Sequence, residues 1–139
     1  MRKLALMLTG LLVGTVVWAE NLSGADELLC SVSRVMLCVE TGKCYDVQPW
    51  EADIPQFVLV DTRRKIISTT RASQDPRSTP VASYQRDGGK IFLQGMQMGR
   101  AFSFVIDEAT GLITAAVARD GIAVSIFGAC TDADAKPAS

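Results

Sequence analysis

Four cysteines are the residues of this sequence whose type and spacing could most directly do chemistry: Cys30, Cys38, Cys44 and Cys130. A free cysteine can act as a nucleophile or a metal ligand, whereas an even number of cysteines in an oxidising compartment favours disulfides. The segment 28–39 reads as one strand, on which Cys30 and Cys38 would lie roughly 26 Å apart. That distance is far too long for a bridge between these two cysteines.

The remaining cysteine geometry favours two particular pairs. A hairpin that turns around Thr41-Gly42 places Cys38 opposite Cys44 and leaves Cys30 free to meet Cys130. Strand parity agrees, provided that Gly128-Ala129 adds no bulge to the last strand. It puts Cys30, Val32, Met36 and Cys38 on one face of the first strand, and Ile122, Val124, Ile126 and Cys130 on one face of the last. We therefore predict the disulfides Cys38–Cys44 and Cys30–Cys130, the second of which would join the first strand to the last.

Other catalytic groups are scarce. The chain has no histidine, which removes the commonest general base and transition-metal ligand, and it has neither a Gly-x-Ser-x-Gly elbow nor a phosphate-binding glycine loop. Paired carboxylates remain, but nearly all of them fall at predicted turns or strand ends, where such side chains usually bond to their own backbone. They are Asp46, Asp61, Asp87, Asp107, Glu108 and Asp120. We predict no enzymatic activity, no catalytic or metal-binding residue and no cofactor.

A tryptophan and a basic stretch are the candidates for contacts with a partner. Trp50 lies in a connection bracketed by Pro49 and Pro55 and is predicted to cap one end of the core, with ligand stacking as the alternative. The basic residues between positions 63 and 77 form either a solvated turn and loop or a patch for an acidic partner. The possible partner contacts are Trp50, Arg63, Arg64, Arg71 and Arg77.

Short apolar runs separated by turn residues organise the whole chain. The predicted strands are 28–39, 44–48, 57–60, 65–70, 82–86, 90–94, 100–107, 112–119 and 122–127, with reversals at 87–89 and 95–99 and a mobile surface loop at 71–80. Mostly sequential hairpins of this length predict an all-β, up-and-down antiparallel meander closed into a small lipocalin-like barrel. A two-sheet β-sandwich is the alternative.

One face of the meander carries small residues: Ala101, Ser103, Ala116 and Ala118. If this face points inward, it leaves room in the barrel for a ligand. If it points outward, we expect the interior to be packed solid, as it is in most small barrels.

The amino end predicts export. Residues 1–19 combine a short basic start, an uncharged run too short to span a bilayer and a small residue before Glu20, which together indicate a cleaved signal peptide. Its removal from 139 residues takes away two of the 14 basic residues and none of the 15 acidic ones, so the mature chain is mildly acidic. We predict one barrel domain at 20–130, with a flexible lead-in or a helical turn at 20–27, and a disordered tail at 131–139. No nucleic-acid partner and no stable membrane span after cleavage are expected.

The mature chain resembles a family of small, functionally uncharacterised exported (periplasmic) proteins of Gram-negative bacteria. The resemblance rests on the stretches 30–44 (CSVSRVMLCVETGKC), 54–57 with Asp61, 93–95 with 99–100, 106–111 (IDEATG) and 127–130. It implies a location in the periplasm, or secretion, and no particular site. In architecture alone the chain is similar to periplasmic β-barrel inhibitors of lysozymes and proteases, although none of their inhibitory motifs is present.

These observations predict a non-enzymatic binding module for a small apolar ligand or an envelope component. The alternative is an inhibitor or interaction protein that acts on a hydrolase or an envelope protein through its loops.

Overall fold

A computed structural model describes residues 21–135 of the chain. The predicted signal peptide at 1–19 and the last four residues of the predicted tail lie outside this range. The described residues form ten strands and a short 3-10 helix, Pro49–Ala52. The strands are β1 (Glu27–Val39), β2 (Cys44–Val47), β3 (Phe57–Asp61), β4 (Ile66–Thr69), β5 (Ser78–Pro80), β6 (Ser83–Asp87), β7 (Lys90–Gln97), β8 (Arg100–Asp107), β9 (Leu112–Arg119) and β10 (Ile122–Asp132). The predicted all-β fold is confirmed.

All ten strands belong to one antiparallel sheet with the order β5-β4-β3-β1-β10-β9-β8-β7-β6, and β2 pairs with the distal half of β1. Its two end strands, β5 and β6, are separated in the chain only by Val81 and Ala82. The Val81 amide donates to the carbonyl of Lys65 beside β4 at 2.9 Å, and the Ala82 amide donates to the carbonyl of Gln94 in β7 at 2.8 Å. This bent segment therefore joins the two end strands of a sheet that curls into a barrel-like fold. The described strands do not divide into two sheets.

Both predicted disulfides are confirmed. Cys30 in β1 lies directly opposite Cys130 in β10, and Cys38 lies opposite Cys44 across the first hairpin. We call the first pair, 100 residues apart, the long-range disulfide, and the second pair, six residues apart, the hairpin disulfide. No free cysteine remains. Two disulfides indicate a non-reducing, extracytoplasmic environment.

The parity prediction for β1 is wrong because the strand contains a bulge. Val32 pairs with Gly128 and Arg34 pairs with Phe127, which leaves Ser33 as an extra residue. Before the bulge Cys30 and Val32 face the interior; after it Val35 and Leu37 do, so Met36 and Cys38 lie on the opposite face. Gly128 permits the close approach of the two strands here, since a Cβ at this position would lie 2.0 Å from the Ser31 carbonyl oxygen. The parity predicted for β10 is confirmed.

Residues 21–26 plug one end of the barrel, which corrects the prediction of a flexible or helical lead-in. Leu22 is fully buried and Ala25 nearly so. The Leu22 amide donates to the Glu108 carbonyl at 2.7 Å, and Arg86 Nη2 donates to the Ala25 carbonyl at 3.2 Å. Arg86 Nε also lies 2.7 Å from the buried carboxylate of Glu108. The apolar side chains of this short segment cover the end of the barrel that the strands leave open.

Three other boundaries differ from the sequence-based prediction by more than one residue. The loop predicted at 71–80 ends in the short strand β5, which pairs with β4. The reversal predicted to begin at Gly95 begins three residues later, because β7 continues to Gln97. Gly95 serves a different purpose there: a Cβ would lie 2.5 Å from the ring of Phe102. Finally, β10 runs two residues into the predicted tail, as Thr131 and Asp132 continue the ladder with β1.

The interior contains two apolar clusters. One packs against the amino-terminal plug and includes Leu28, Val60, Ile91, Leu93 and Ile106. The other is centred on Val35, Val124 and Ile126 and lies beneath the 3-10 helix. Phe104 packs against both clusters. Side chains do not fill the barrel completely in the region between these two clusters.

Candidate functional site: a cavity with a charged mouth

A cavity of about 110 Å³ lies inside the barrel between the two apolar clusters. Its walls are mainly aliphatic and aromatic, and the principal apolar side chains are Val58, Ile67, Phe102, Phe104, Ile113 and Ile126. Eight polar residues also line it: the hydroxyl-bearing Ser31, Ser68, Thr69 and Thr79, together with Asp53, Arg77, Gln97 and Arg100. Because Asp53 is exposed, the cavity reaches the surface on this side, which we call the mouth.

The small-residue face does not create this space. Ala101, Ala116 and Ala118 are exposed, and Ser103 alternates with the inward-facing Phe102 and Phe104, so the whole face points outward. The accompanying expectation of a solid interior is wrong. Two small residues on the inward face, Ala115 of β9 and Gly128 of β10, line the cavity instead. They sit diagonally across neighbouring strands, where larger side chains would close the gap.

The mouth is occupied by one carboxylate held between two arginines. Nη2 of Arg77 donates to Oδ1 of Asp53, and Nη2 of Arg100 donates to Oδ2 of the same carboxylate. Arg77 Nη1 also donates to the Asp53 carbonyl oxygen at 3.1 Å, and Arg77 Nε donates to Asp75 at 2.7 Å. The arginine side chains are only 19% and 14% exposed, whereas that of Asp53 is 53% exposed. We call Asp53, Asp75, Arg77 and Arg100 the mouth cluster.

Three separate segments bring the mouth cluster together. Asp53 ends the 3-10 helix in a left-handed conformation with φ of 57°, and its amide donates to the Trp50 carbonyl at 3.2 Å. Arg77 directly precedes β5 and is fixed to β4, since its amide donates to the Thr69 hydroxyl at 2.8 Å. Arg100 is the first residue of β8 and shares its inward face with Phe102 and Phe104. The backbone therefore places both guanidinium groups over the same opening.

Electrostatics keep this cluster ionised. Burial opposes the charge of Asp53, but the hydrogen bonds and charges of Arg100 and Arg77 outweigh it and hold the pKa of Asp53 below its usual value. The hydrogen bond to Asp75 raises the pKa of Arg77, and the attraction of Asp53 adds to this effect against the opposing influence of burial. The site is thus a pair of largely buried cations whose anion is supplied by the protein itself.

The structure disperses the predicted contact residues. Arg63 lies 3.2 Å from Asp26 and Arg64 lies 3.4 Å from Asp61, and both arginines are about three-quarters exposed in the turn before β4, beside the plugged end. Arg71 is exposed in the loop between β4 and β5, and only Arg77 reaches the mouth. These four arginines do not form one continuous patch.

Trp50 does not cap the core, contrary to the prediction. Its side chain is 71% exposed, because the 3-10 helix buries Pro49 instead. Trp50 lines a groove of about 320 Å³ outside the mouth, which shares Asp53, Ile54 and Arg77 with the cavity. The groove therefore leads from the protein surface to the mouth cluster.

Sequence reasoning missed Asp53 and Arg100. One signal was available for Arg100: it stands two residues before Phe102, so the alternation that turns Phe102, Phe104 and Ile106 inward turns Arg100 inward as well. No local signal marks Asp53, whose partners lie 24 and 47 residues away in the chain.

Two of the turn carboxylates considered as catalytic candidates bond to their own turns. Oδ1 of Asp61 accepts from the Arg64 amide at 2.7 Å, and Oδ1 of Asp107 accepts from the amides of Ala109 and Thr110 at 3.0 Å. Among residues 21–135, no group of three or more acidic or cysteine side chains is arranged to hold a metal ion.

Comparison with protein-family models, curated proteins and solved structures finds no match for this chain. In the part of the chain that the structure describes, no helix has the length and apolar character needed to cross a membrane.

Proposed function

We propose that this protein is a non-enzymatic binding module of the periplasm that holds a small apolar group inside its barrel. The observation that carries the proposal is the cavity of about 110 Å³, with its apolar walls and its polar mouth. Ligand sites are typically apolar spaces with a few placed polar groups, which is the arrangement found here. The disulfides, the predicted signal peptide and the resemblance to exported proteins support the proposed location.

The cavity volume limits the ligand. An apolar protein cavity of roughly 150 Å³ binds benzene, so a space of about 110 Å³ suits a group of about four to six carbon atoms. Burial at about 0.8 kcal/mol per methylene then contributes roughly 3–5 kcal/mol, equivalent to a dissociation constant near 1 mM. Apolar contacts alone therefore predict weak binding, and a tighter ligand must also use the mouth.

Titration with hexan-1-ol, followed by methyl NMR, tests the proposal. We expect saturable shifts of the Ile113 and Ile126 methyl groups, which line the cavity. Ala115→Leu should abolish these shifts by filling the space. Ala116→Leu adds the same side chain one residue away on the outer face and should leave them intact. Absence of a saturable shift in the natural protein, or an unchanged response in Ala115→Leu, would contradict ligand binding in the barrel.

A second function is favoured by exposed apolar side chains beside the mouth. Trp50, Met96 and Met98 are 71%, 78% and 79% exposed, and they lie in the 3-10 helix and in the β7–β8 hairpin that flank the mouth. Such side chains suit a protein partner, as expected of an inhibitor or interaction protein. A periplasmic protein captured by the natural chain and by Ala115→Leu, but not by Trp50→Ala, would favour this function over ligand binding.

A further inference from the structure

We infer that the ligand of this cavity is a small amphipathic acid whose anionic head group replaces the Asp53 carboxylate between Arg77 and Arg100 while its apolar tail fills the cavity. The inference rests on the proposed function, since it names the class of molecule that the same cavity takes. In the absence of ligand, the Asp53 carboxylate occupies the position of the ligand's acid group. Asp53 lies on the segment 49–55, which covers the mouth.

The placement of the two arginines is the first argument. Both line the cavity, both are more than four-fifths buried, and both donate to one carboxylate. Guanidinium groups match carboxylates geometrically, and burial makes a counterion necessary. An acid whose tail lies in the cavity presents its head group at the position that the Asp53 carboxylate now occupies.

Charge balance is the second argument. The mouth cluster contains two arginines and two aspartates, so its formal charge is zero. A monoanionic head group that displaces Asp53 into solvent replaces one negative charge beside the arginines with another, so the net charge at the site does not change. A neutral ligand gains nothing from the guanidinium groups, and a cationic one would be repelled by them. The site therefore selects an anion over a neutral molecule with the same tail.

The mobility required of Asp53 is the third argument. The Asp53 side chain is already half exposed, and Asp53 ends a helix of only four residues. The open groove beside Trp50 lies next to this helix and offers space for the displaced carboxylate. An exposed carboxylate regains water readily, and ion pairs with such a partner are individually weak. A ligand carboxylate can make the same hydrogen bonds to the arginines, and the displaced Asp53 carboxylate regains full hydration, so the exchange at the arginines favours the ligand. Burial of the apolar tail adds to this preference.

Hexanoate and hexan-1-ol, titrated at pH 7 into the protein purified from the periplasm, separate head-group recognition from tail burial. We expect the natural protein to bind hexanoate more tightly than hexan-1-ol. Asp53→Asn, which removes the competing charge, should tighten hexanoate binding about tenfold. Arg100→Gln should weaken hexanoate binding about tenfold while leaving that of hexan-1-ol within twofold. Arg64→Gln makes the same change of charge beside the plugged end of the barrel and should alter neither ligand.

Several outcomes would overturn the inference. If hexan-1-ol binds the cavity but Asp53→Asn and Arg100→Gln do not change the preference for hexanoate, the head-group assignment is wrong and the apolar site stands. If Arg64→Gln weakens hexanoate as much as Arg100→Gln does, the effect is one of general charge and the assignment is again wrong. If neither ligand binds, the proposed function itself fails. Circular dichroism melts of each variant confirm that the barrel is folded in every comparison.

Discussion

Filling the cavity from Ala115 should make this protein more stable and unable to bind its ligand. Ala115 is only 3% exposed, and it pairs with Phe104 of β8 on one side and with Ile126 of β10 on the other. All three side chains line the same cavity of about 110 Å³. The substitution Ala115→Leu adds three methylene equivalents at a position where the space already exists.

The magnitude follows from the chemistry of the added groups. Three buried methylenes contribute about 2.4 kcal/mol at about 0.8 kcal/mol each, and ordering a leucine side chain costs about 0.5–1 kcal/mol. The expected gain in the free energy of unfolding is therefore about 1.5 kcal/mol. A solid interior would give the opposite sign, because overpacking typically costs about 1–3 kcal/mol. The sign of the change reports directly whether the cavity exists.

Urea denaturation with both disulfides intact measures the effect. With an m-value of about 1.5 kcal/mol/M for a domain of this size, the unfolding midpoint should rise by about 1 M at unchanged m. Ala116→Leu is the matched control, because the exposed face of β9 should tolerate leucine within about 0.5 kcal/mol. A lower midpoint for Ala115→Leu, with the control unchanged, would refute the reasoning and with it the volume on which the proposed ligand is based.

Three further predictions concern the closure of the barrel, its plug and its mouth. Replacing the long-range disulfide with alanines should lower the free energy of unfolding by about 4.7 kcal/mol, and replacing the hairpin disulfide should lower it by about 2.3 kcal/mol. The two values differ because the entropy that a disulfide removes from the unfolded chain grows with the logarithm of loop length. Equal losses in urea denaturation would contradict this account. Leu22→Ala should lower the free energy of unfolding by about 2–5 kcal/mol. The control Leu112→Ala, at a 60% exposed position, should lower it by less than about 0.5 kcal/mol. A small loss at Leu22 would mean that residues 21–26 do not plug the barrel. Because the folded-state pKa of Asp53 is depressed, its contribution is fully present above its unfolded pKa of about 3.9 and disappears as the pH falls through the lower folded value. The difference in melting temperature between the natural protein and Asp53→Asn should therefore stay constant from about pH 5 to 7 and begin to shrink below about pH 4. A difference at about pH 3 that is as large as the difference at about pH 7 would show that it does not come from this charge.

The positions of most strands could be predicted from the sequence, because the alternation of apolar residues and the turn residues that mark strand ends are local signals. The strands β8 and β9 begin and end at the predicted residues, since alternating apolar positions stop at turns that bond internally. The turn after β8 illustrates this, because Asp107 accepts hydrogen bonds from two amides that follow it. The disulfide pairs were equally accessible, since spacing along one strand excludes one connectivity and a short hairpin favours another.

Other features depend on contacts between distant parts of the chain. The bulge at Ser33 reversed the parity predicted for the second half of β1, and it lies next to Gly128, a residue far away in the sequence whose missing side chain lets the two backbones approach. The sequence predicts only a flexible or helical lead-in around Leu22, because so short a segment carries no periodicity. The burial of Leu22 becomes evident only when the curled sheet presents an open end to cover.

The sequence by itself determined the β-rich pattern, the alternation of faces and the cysteine spacing, because these follow from neighbouring residues and the period of a strand. Only the tertiary structure decided that the barrel is hollow and that Asp53, Arg77 and Arg100 meet at its mouth. The physical reason is that a cavity is the space left over when every inward side chain has been placed, so no single segment encodes it. The mouth cluster likewise depends on three segments that become neighbours only once the sheet has curled and the bent segment 81–82 has joined its two end strands.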